Sequence, residues 1–298
     1  MDHSLKGEGD RFLVEAMSKG SSEAFHRLVE RFGGRLKAFA ARRLAGSGLD
    51  PEDAVQETFL SLVRNLEKIG EIRSLQAYLF TILRCRIADL ARARGPTAGA
   101  VSLGGTESSP GIDPVSADGT PSTYARRNEA VSARHVVLAD VLDTLLTRLK
   151  TERRFRDLKV LELIFCKGLS HQDAAKLVPT SEPTVSRTKK ATVEELRSLV
   201  AKHARADALQ DIPWGDDVSN LLRSVWEENL FSCLKRSTLG SYALGVLDEE
   251  WADYSRFHIE VVSCEFCSAH LDDVAKPEEG VSHKTRERIY ASSAGFLK

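Results

Sequence analysis

The chain contains no run of about 18 uncharged apolar residues, the least that a bilayer-spanning helix needs. A transmembrane helix is therefore not expected anywhere in its 298 residues. The N-terminus, M-D-H-S-L-K-G-E-G-D, has no apolar signal-peptide core, which argues against export. Cysteine is scarce: there are five, an odd number, with three of them between positions 233 and 267. Such usage does not make a disulfide framework and points to a reducing compartment, so the expected location is the cytoplasm. No strand–helix–strand pattern surrounds Cys264 and Cys267, which disfavours a cysteine-dependent oxidoreductase.

Apolar content of 42% and charged content of 29% suit a soluble globular chain of two or three domains. The net charge of -1 conceals a segregation. Residues 21–95 carry 13 Lys and Arg against 9 Asp and Glu, and residues 124–203 carry 16 against 10. Residues 207–298 reverse this, with 9 against 17. Basic parts joined to an acidic one fit a nucleic-acid-binding region with an acidic partner attached. Between the basic parts, residues 96–123 hold four Pro, five Gly, five Ser and four Thr, without a Lys or Arg. A segment of this composition cannot bury enough apolar surface to offset its ordering entropy, so a flexible linker is expected there.

The remaining pattern is helical throughout, and the fold class expected is all-α. From Ser22, the residues Phe25, Leu28, Val29, Phe32, Leu36, Phe39 and Ala40 follow helical spacing. Gly46, Ser47 and Gly48 close that stretch. The next helix is expected over Asp50–Leu66, with Asp50 as N-cap, Pro51 in the first turn, and Glu52 and Asp53 favoured by the helix dipole. Val55, Phe59, Leu62, Val63 and Leu66 share its apolar face. Asp53, Glu57 and Arg64 project from the opposite side, with Gln56 and Leu60 beside them. On periodicity alone this is an ordinary amphipathic helix. A third helix is expected from about Ser74 to Arg94, burying Leu75, Leu79, Ile82, Leu83 and Leu90.

Helices resume at Tyr124 and run to His203, with breaks near Lys150–Arg156 and Lys167–Ser170. In G168-L-S-H-Q-D-A-A-K-L-V-P-T-S-E-P-T-V-S-R-T-K-K, Ser170 caps a short helix with Asp173 three residues on. Ala174 and Ala175 leave room for a crossing helix, Pro179 and Thr180 turn the chain, and a longer helix follows. This is a helix-turn-helix pattern. The N-terminal part of its second helix would enter the major groove, offering Thr184, Ser186, Arg187, Lys189 and Lys190 to bases and phosphates. The same residues also fit a plain helical hairpin with a solvated basic face.

Beyond residue 205, Trp214, Leu221, Leu222, Val225 and Trp226 mark another apolar helix face. Cys264-x-x-Cys267 is a half-site for Zn²⁺, and Cys233 with His258 would complete a tetrahedral Cys₃His set for structural zinc. His270 is a rival fourth ligand. Buried free cysteines or a redox pair are the other readings of these residues.

The string D53-A-V-Q-E-T-F resembles the segment by which bacterial extracytoplasmic-function sigma factors grip RNA polymerase, and the likeness covers about residues 22–200. Region two of that family is matched from A24-F-H-R-L-V-E-R-F to L90-A-R-A-R, region four from about Leu142 through the helix-turn-helix. The resemblance implies four parts: residues 1–95 as region two, 96–123 as linker, 124–205 as region four, and 206–298 as an acidic extension. It implies that core polymerase is held through Asp53, Gln56, Glu57, Leu60 and Arg64. S74-L-Q-A-Y-L-F-T-I-L-R-C-R is similar to the segment that melts and captures the minus-ten element, where Tyr78, Arg84, Arg86, Arg92 and Arg94 would meet single-stranded DNA. The helix-turn-helix would read the minus-thirty-five element. No covalent chemistry is asked of such a chain, so it is not expected to be an enzyme.

The extension resembles the zinc-binding fold of anti-sigma factors, although there the His stands closer to the first Cys than the five residues found here. An anti-sigma-like regulator of the chain's own sigma domains, or a site for a signalling partner, is expected from it. Tyr78 replaces a common Trp, Cys85 a frequent Asn, and Lys189 an apolar residue of the recognition helix. Two alternatives stand beside the sigma reading, the second of them signalled by Cys85 and Lys189. One is a helix-turn-helix regulator that binds DNA without polymerase; the other is a sigma-like interaction protein that does not open promoters.

Overall fold

The computed structural model of the chain describes residues 8–66, 74–93, 121–209, 216–276 and 280–297. In chain order their α-helices are α1 (Glu8–Ser18), α2 (Ser22–Arg43), α3 (Pro51–Arg64), α4 (Leu75–Ala93), α5 (Pro121–Thr151), α6 (Phe155–Leu161) and α7 (His171–Leu177). There follow α8 (Glu182–Ala201), α9 (Asp216–Glu228), α10 (Arg236–Ala243), α11 (Glu249–Arg256), α12 (Glu265–Ala275) and α13 (His283–Ser293). Single π-helical turns extend α6 over Glu162–Cys166 and α11 over Phe257–Val261. All regular elements among the described residues are helical, in agreement with the all-α expectation. No described helix is long and apolar enough to cross a membrane. The expected linker lies outside the described residues except for 121–123, which already belong to α5.

Short polar side chains start these helices by satisfying N–H groups that have no helical acceptor. The Ser21 hydroxyl accepts from the Ala24 amide at the head of α2, and Asp50 from Glu52 at the head of α3. Ser170, Asp248 and Ser282 do the same for α7, α11 and α13. Helix α3 stops at Arg64, short of the expected Leu66, because Asn65 leaves helical geometry and donates its side-chain amide to the Ser61 carbonyl at 2.8 Å.

Contacts divide the chain into two compact units. The first comprises Met1–Gly104, Leu234–Leu247 and Cys264–Lys298, and the second Gly105–Cys233 and Asp248–Ser263. The acidic extension, expected as a domain of its own over 206–298, is thus shared between the two. Its helices are short: α10 and α11 have eight residues each, α12 and α13 eleven. Helices of that length draw their stability from tertiary burial; α12 packs on α2, α13 on α3 and α11 on α6, while α10 packs on α12.

In the first unit α2, α3 and α4 pack on one another, with α12 against α2 and α13 against α3. Phe25 and Phe59 meet edge to face at 6.1 Å, and Phe80 bridges Phe39 at 5.3 Å and Phe266 at 4.5 Å. Leu75, Leu79 and Leu83 are buried on α4 as expected. Ile82 and Leu90 are only half-buried; Ala77, Phe80 and Ile87 complete the inner face in their place. In the second unit α5, α6 and α8 enclose Leu138, Leu142, Leu158 and Leu196. Trp226 of α9 stacks on Phe165 and donates its indole N–H to Ser232 at 2.7 Å. From α11, Trp251 and Tyr254 hold Phe155 between them at 4.8 and 5.1 Å.

Candidate functional site

The two faces of α3 are sorted as its periodicity requires. Val55, Phe59, Leu62 and Val63 are buried against the first unit's core. Asp53, Gln56 and Glu57 are half-buried and Arg64 is exposed. Leu60, expected on the outer side, is 7% exposed and belongs to the buried set. The outer side is not bare, because α13 of the same unit lies against it. Glu52, one residue before the expected contact set, is the hub. Its carboxylate pairs with Lys37 at 3.0 Å and accepts the Ser282 amide at 3.0 Å and the hydroxyls of Ser282 and Thr285. Asp53 pairs with Arg288 at 3.1 Å, and the Arg64 guanidinium lies 5.5 Å above the Phe296 ring. The sequence signal for this contact was a Ser able to cap a helix, at 282, with Thr285 one turn on.

Burial by itself would raise the Glu52 carboxyl, but the hydrogen bonds from Ser282, Thr285 and Lys37 outweigh it and hold the group down at about 2, against an ordinary 4.5. A carboxyl lowered in the folded state adds stability above its unfolded value and loses it as pH falls toward the folded one. Amide-exchange protection of α13 is therefore expected to be level from neutral pH to about 4.5 and to fall from there toward 2. Loosening of α13 between pH 6 and 8 would contradict the Glu52 anchor.

On α4, Tyr78 is half-buried, and burial pushes its phenol up. Arg84 and Arg86 are half-buried and Arg92 is exposed. Arg86 and Arg92 both pair with Asp89, at 3.0 and 2.6 Å, and Arg86 also donates to the Ser61 hydroxyl. Asp89 thereby orients two of the cations along one side of the helix. Arg94 lies outside the described residues. The Cys85 thiol is half-buried and pushed up, by burial first and by Asp89 second.

The helix-turn-helix is formed by α7 and α8. Ser170 accepts the Asp173 amide at 3.1 Å and donates to its carboxylate at 2.7 Å, as the capping pattern requires. Ala174, Val178 and Val185 are fully buried where the two helices meet. Ser186, Arg187 and Lys190 are exposed, and Thr184 and Lys189 half-buried. Arg187 folds back to Thr184 at 3.2 Å. Lys189, which stands where the resembled family usually has an apolar residue, is not drawn into the hairpin's core.

Cys233, His258, Cys264 and Cys267 bring their ligand atoms to within 4.8 Å of one another. Tetrahedral zinc with Zn–S bonds of about 2.3 Å asks for sulfur separations a little under 4 Å, so these donors would need to close by no more than about 1 Å around the ion, and three Cys with one His are the donor types of a structural zinc site. Two further observations favour the fit. The Leu234 amide donates to Cys267 Sγ at 3.2 Å, which supports a thiolate. His258 Nδ1 is held by the Glu162 carboxylate at 3.0 Å, the carboxylate–histidine arrangement that orients metal-binding imidazoles through the other nitrogen. His270, the rival ligand, is not part of the group. It is buried between Phe80 and Phe266, and burial, with Arg35 and Arg236, holds its imidazole down at about 3. Glu162 escaped notice in the sequence because nothing in a lone Glu on an apolar helix marks a His partner 96 positions away.

One comparison with known proteins covers α3 and α4. The Sigma-70 region 2 family matches residues 28–97. The RNA polymerase sigma factor CnrH of Cupriavidus metallidurans is 32% identical over 181 residues, which is 60% of this chain and 87% of that protein. No solved structure matches the chain.

Proposed function

The chain belongs to the extracytoplasmic-function sigma factors of RNA polymerase, and from that premise we propose how its residues divide the work of transcription initiation. Core polymerase is held by the outer side of α3, through Asp53, Gln56, Glu57 and Arg64, with Leu60 packed beneath them. The minus-ten element is opened and kept as single strand along α4, where Tyr78 stacks on a base and Arg84, Arg86 and Arg92 track the phosphates. The minus-thirty-five element is read in the major groove by Thr184, Ser186, Arg187, Lys189 and Lys190 of α8. The chain acts in the cytoplasm, catalyses nothing itself, and is regulated by its own residues 206–298. Zn²⁺ held by Cys233, His258, Cys264 and Cys267 would be structural, because four protein ligands leave no open position for a reacting water.

The observation that carries this reading is the sorting of α3, whose Val55, Phe59, Leu62 and Val63 are buried while acidic and polar groups occupy the far side. Run-off transcription with purified core polymerase and a genomic promoter library tests it. Core binding and promoter-specific transcripts are the expected result, and absence of both overturns the assignment.

A further inference from the structure

We propose that α13 is a detachable internal occupant of the α3 face, anchored by Glu52, and that it competes with core RNA polymerase for that face; the competition rests on the assignment of α3 to polymerase binding.

Helix α13 runs in the same direction as α3 and meets it along its length. At the start Glu52 takes Ser282 and Thr285, next Asp53 takes Arg288, and at the far end Arg64 faces Phe296. Ile289 is fully buried beneath α13, and the Tyr290 ring lies 3.8 Å from His26 and 6.3 Å from Phe25. The Ser282 hydroxyl does two things at once, accepting the Thr285 amide to begin α13 and donating to Glu52 to tie that beginning to α3.

The region-two side is shaped for this occupant. Gly33 and Gly34 lie in the interior of α2, where each costs about 1 kcal/mol of helix stability relative to Ala. At both positions the extension approaches the α2 backbone closely. A Cβ on Gly33 would stand 2.7 Å from Val281 Cγ2, and one on Gly34 would collide with the Asp273 carboxylate. Val281, the residue before the Ser282 anchor, is buried in that contact. The missing side chains thus admit the segment that leads into α13.

The chemistry of the contact also resembles what a partner must supply. A surface that binds α3 has to present cations to Asp53 and Glu57 and an aromatic or anionic group to Arg64. Helix α13 presents Arg288 to the first and Phe296 to the last. Two bodies cannot occupy one helix face, so polymerase binds only the fraction of molecules in which α13 has left, and its apparent affinity is lowered by that fraction. Release is within reach because Asp53 and Arg288 are each about half exposed, at 48% and 46%, where an ion pair is weak.

The test uses the full chain with purified core polymerase. The double variant Ser282→Ala with Thr285→Val removes both hydroxyls and leaves α3 untouched; it is expected to bind core polymerase roughly tenfold more tightly than the parent. Arg288→Glu, which keeps the α13 cap, is expected to shift affinity in the same direction. In the parent chain, α13 amides are expected to lose exchange protection when polymerase is added. Unchanged affinity in both variants, or α13 amides that stay protected in the polymerase complex, overturns the competition while leaving the sigma assignment standing. No core binding by the parent or by either variant, with α13 already unprotected in the variants, overturns the assignment beneath it.

Discussion

Reversing charge at Asp53 and Glu57 together, as Asp53→Lys with Glu57→Lys, is expected to lower core polymerase affinity by at least about 100-fold while the first unit stays folded. Both side chains leave α3 on the side away from Phe59 and Leu62, so neither supports the packed core. The folding cost is small. Lys in place of an acidic residue in the first turn of a helix loses about 0.3–1 kcal/mol of dipole energy. Losing the half-exposed Asp53–Arg288 pair costs roughly 0–1 kcal/mol more. A binding surface that requires negative charge, by contrast, meets like charge at two points. The change also weakens the hold of α13, which alone would favour polymerase. A net loss of affinity therefore isolates the polymerase contact from the internal one, since the α13 variants move in the opposite direction. Normal polymerase binding by the folded double mutant would return α3 to the status of an ordinary amphipathic helix.

Glu162→Ala is expected to destabilise the second unit by roughly 3–5 kcal/mol, the range for breaking a buried, hydrogen-bonded pair by removing one partner. Glu162 is 0% exposed, and its carboxylate takes the Tyr254 hydroxyl at 2.5 Å and His258 Nδ1 at 3.0 Å. Removing it leaves a cavity and takes a close carboxylate acceptor from a buried imidazole and a buried phenol. The Tyr254 hydroxyl also has a longer contact, to the Ser232 carbonyl at 3.3 Å. Glu162→Gln preserves volume and one acceptor oxygen, so its loss should be the smaller of the two. Denaturant unfolding of the full chain measures both. A loss under about 1 kcal/mol for the Ala variant would mean that the carboxylate is not the tie between the π-helical turn after α6 and the one after α11. In zinc-loaded protein the same substitution is expected to weaken metal binding by about 10–100-fold, because the imidazole loses the group that orients it.

The starts of α3 and α7 were legible because they are set by neighbours in sequence. Asp50 with Pro51, and Ser170 with Asp173, announce α3 and α7 through local hydrogen bonds that any chain with those residues can form. The apolar stripe of α3 was legible for the same reason, apart from its edges. Leu60 proved buried although it lies outside the one-sided apolar pattern of the helix. On α4 the stripe shifted toward Phe80 and Ile87, since the wall it faces includes Phe266 from the extension.

The acidic charge of the extension sets it apart in composition, while its helices are divided between the two units. Charge composition is additive along the chain, whereas packing depends on which apolar faces can find partners. Short helices with single apolar faces found theirs on α2, α3 and α6.

The sequence by itself determined α2, α3 and α4, the family-like string at Asp53–Phe59, the two helices joined at Pro179 and Thr180, and the Cys264-x-x-Cys267 half-site, all encoded within a few turns of chain. Tertiary structure decided that His258 and not His270 joins the cysteines, that Glu162 holds His258, and that α13 occupies the face of α3. Each of these joins residues far apart in sequence through burial of one surface on another. Such pairings are set by shape and by the saturation of buried polar groups, which local periodicity does not record.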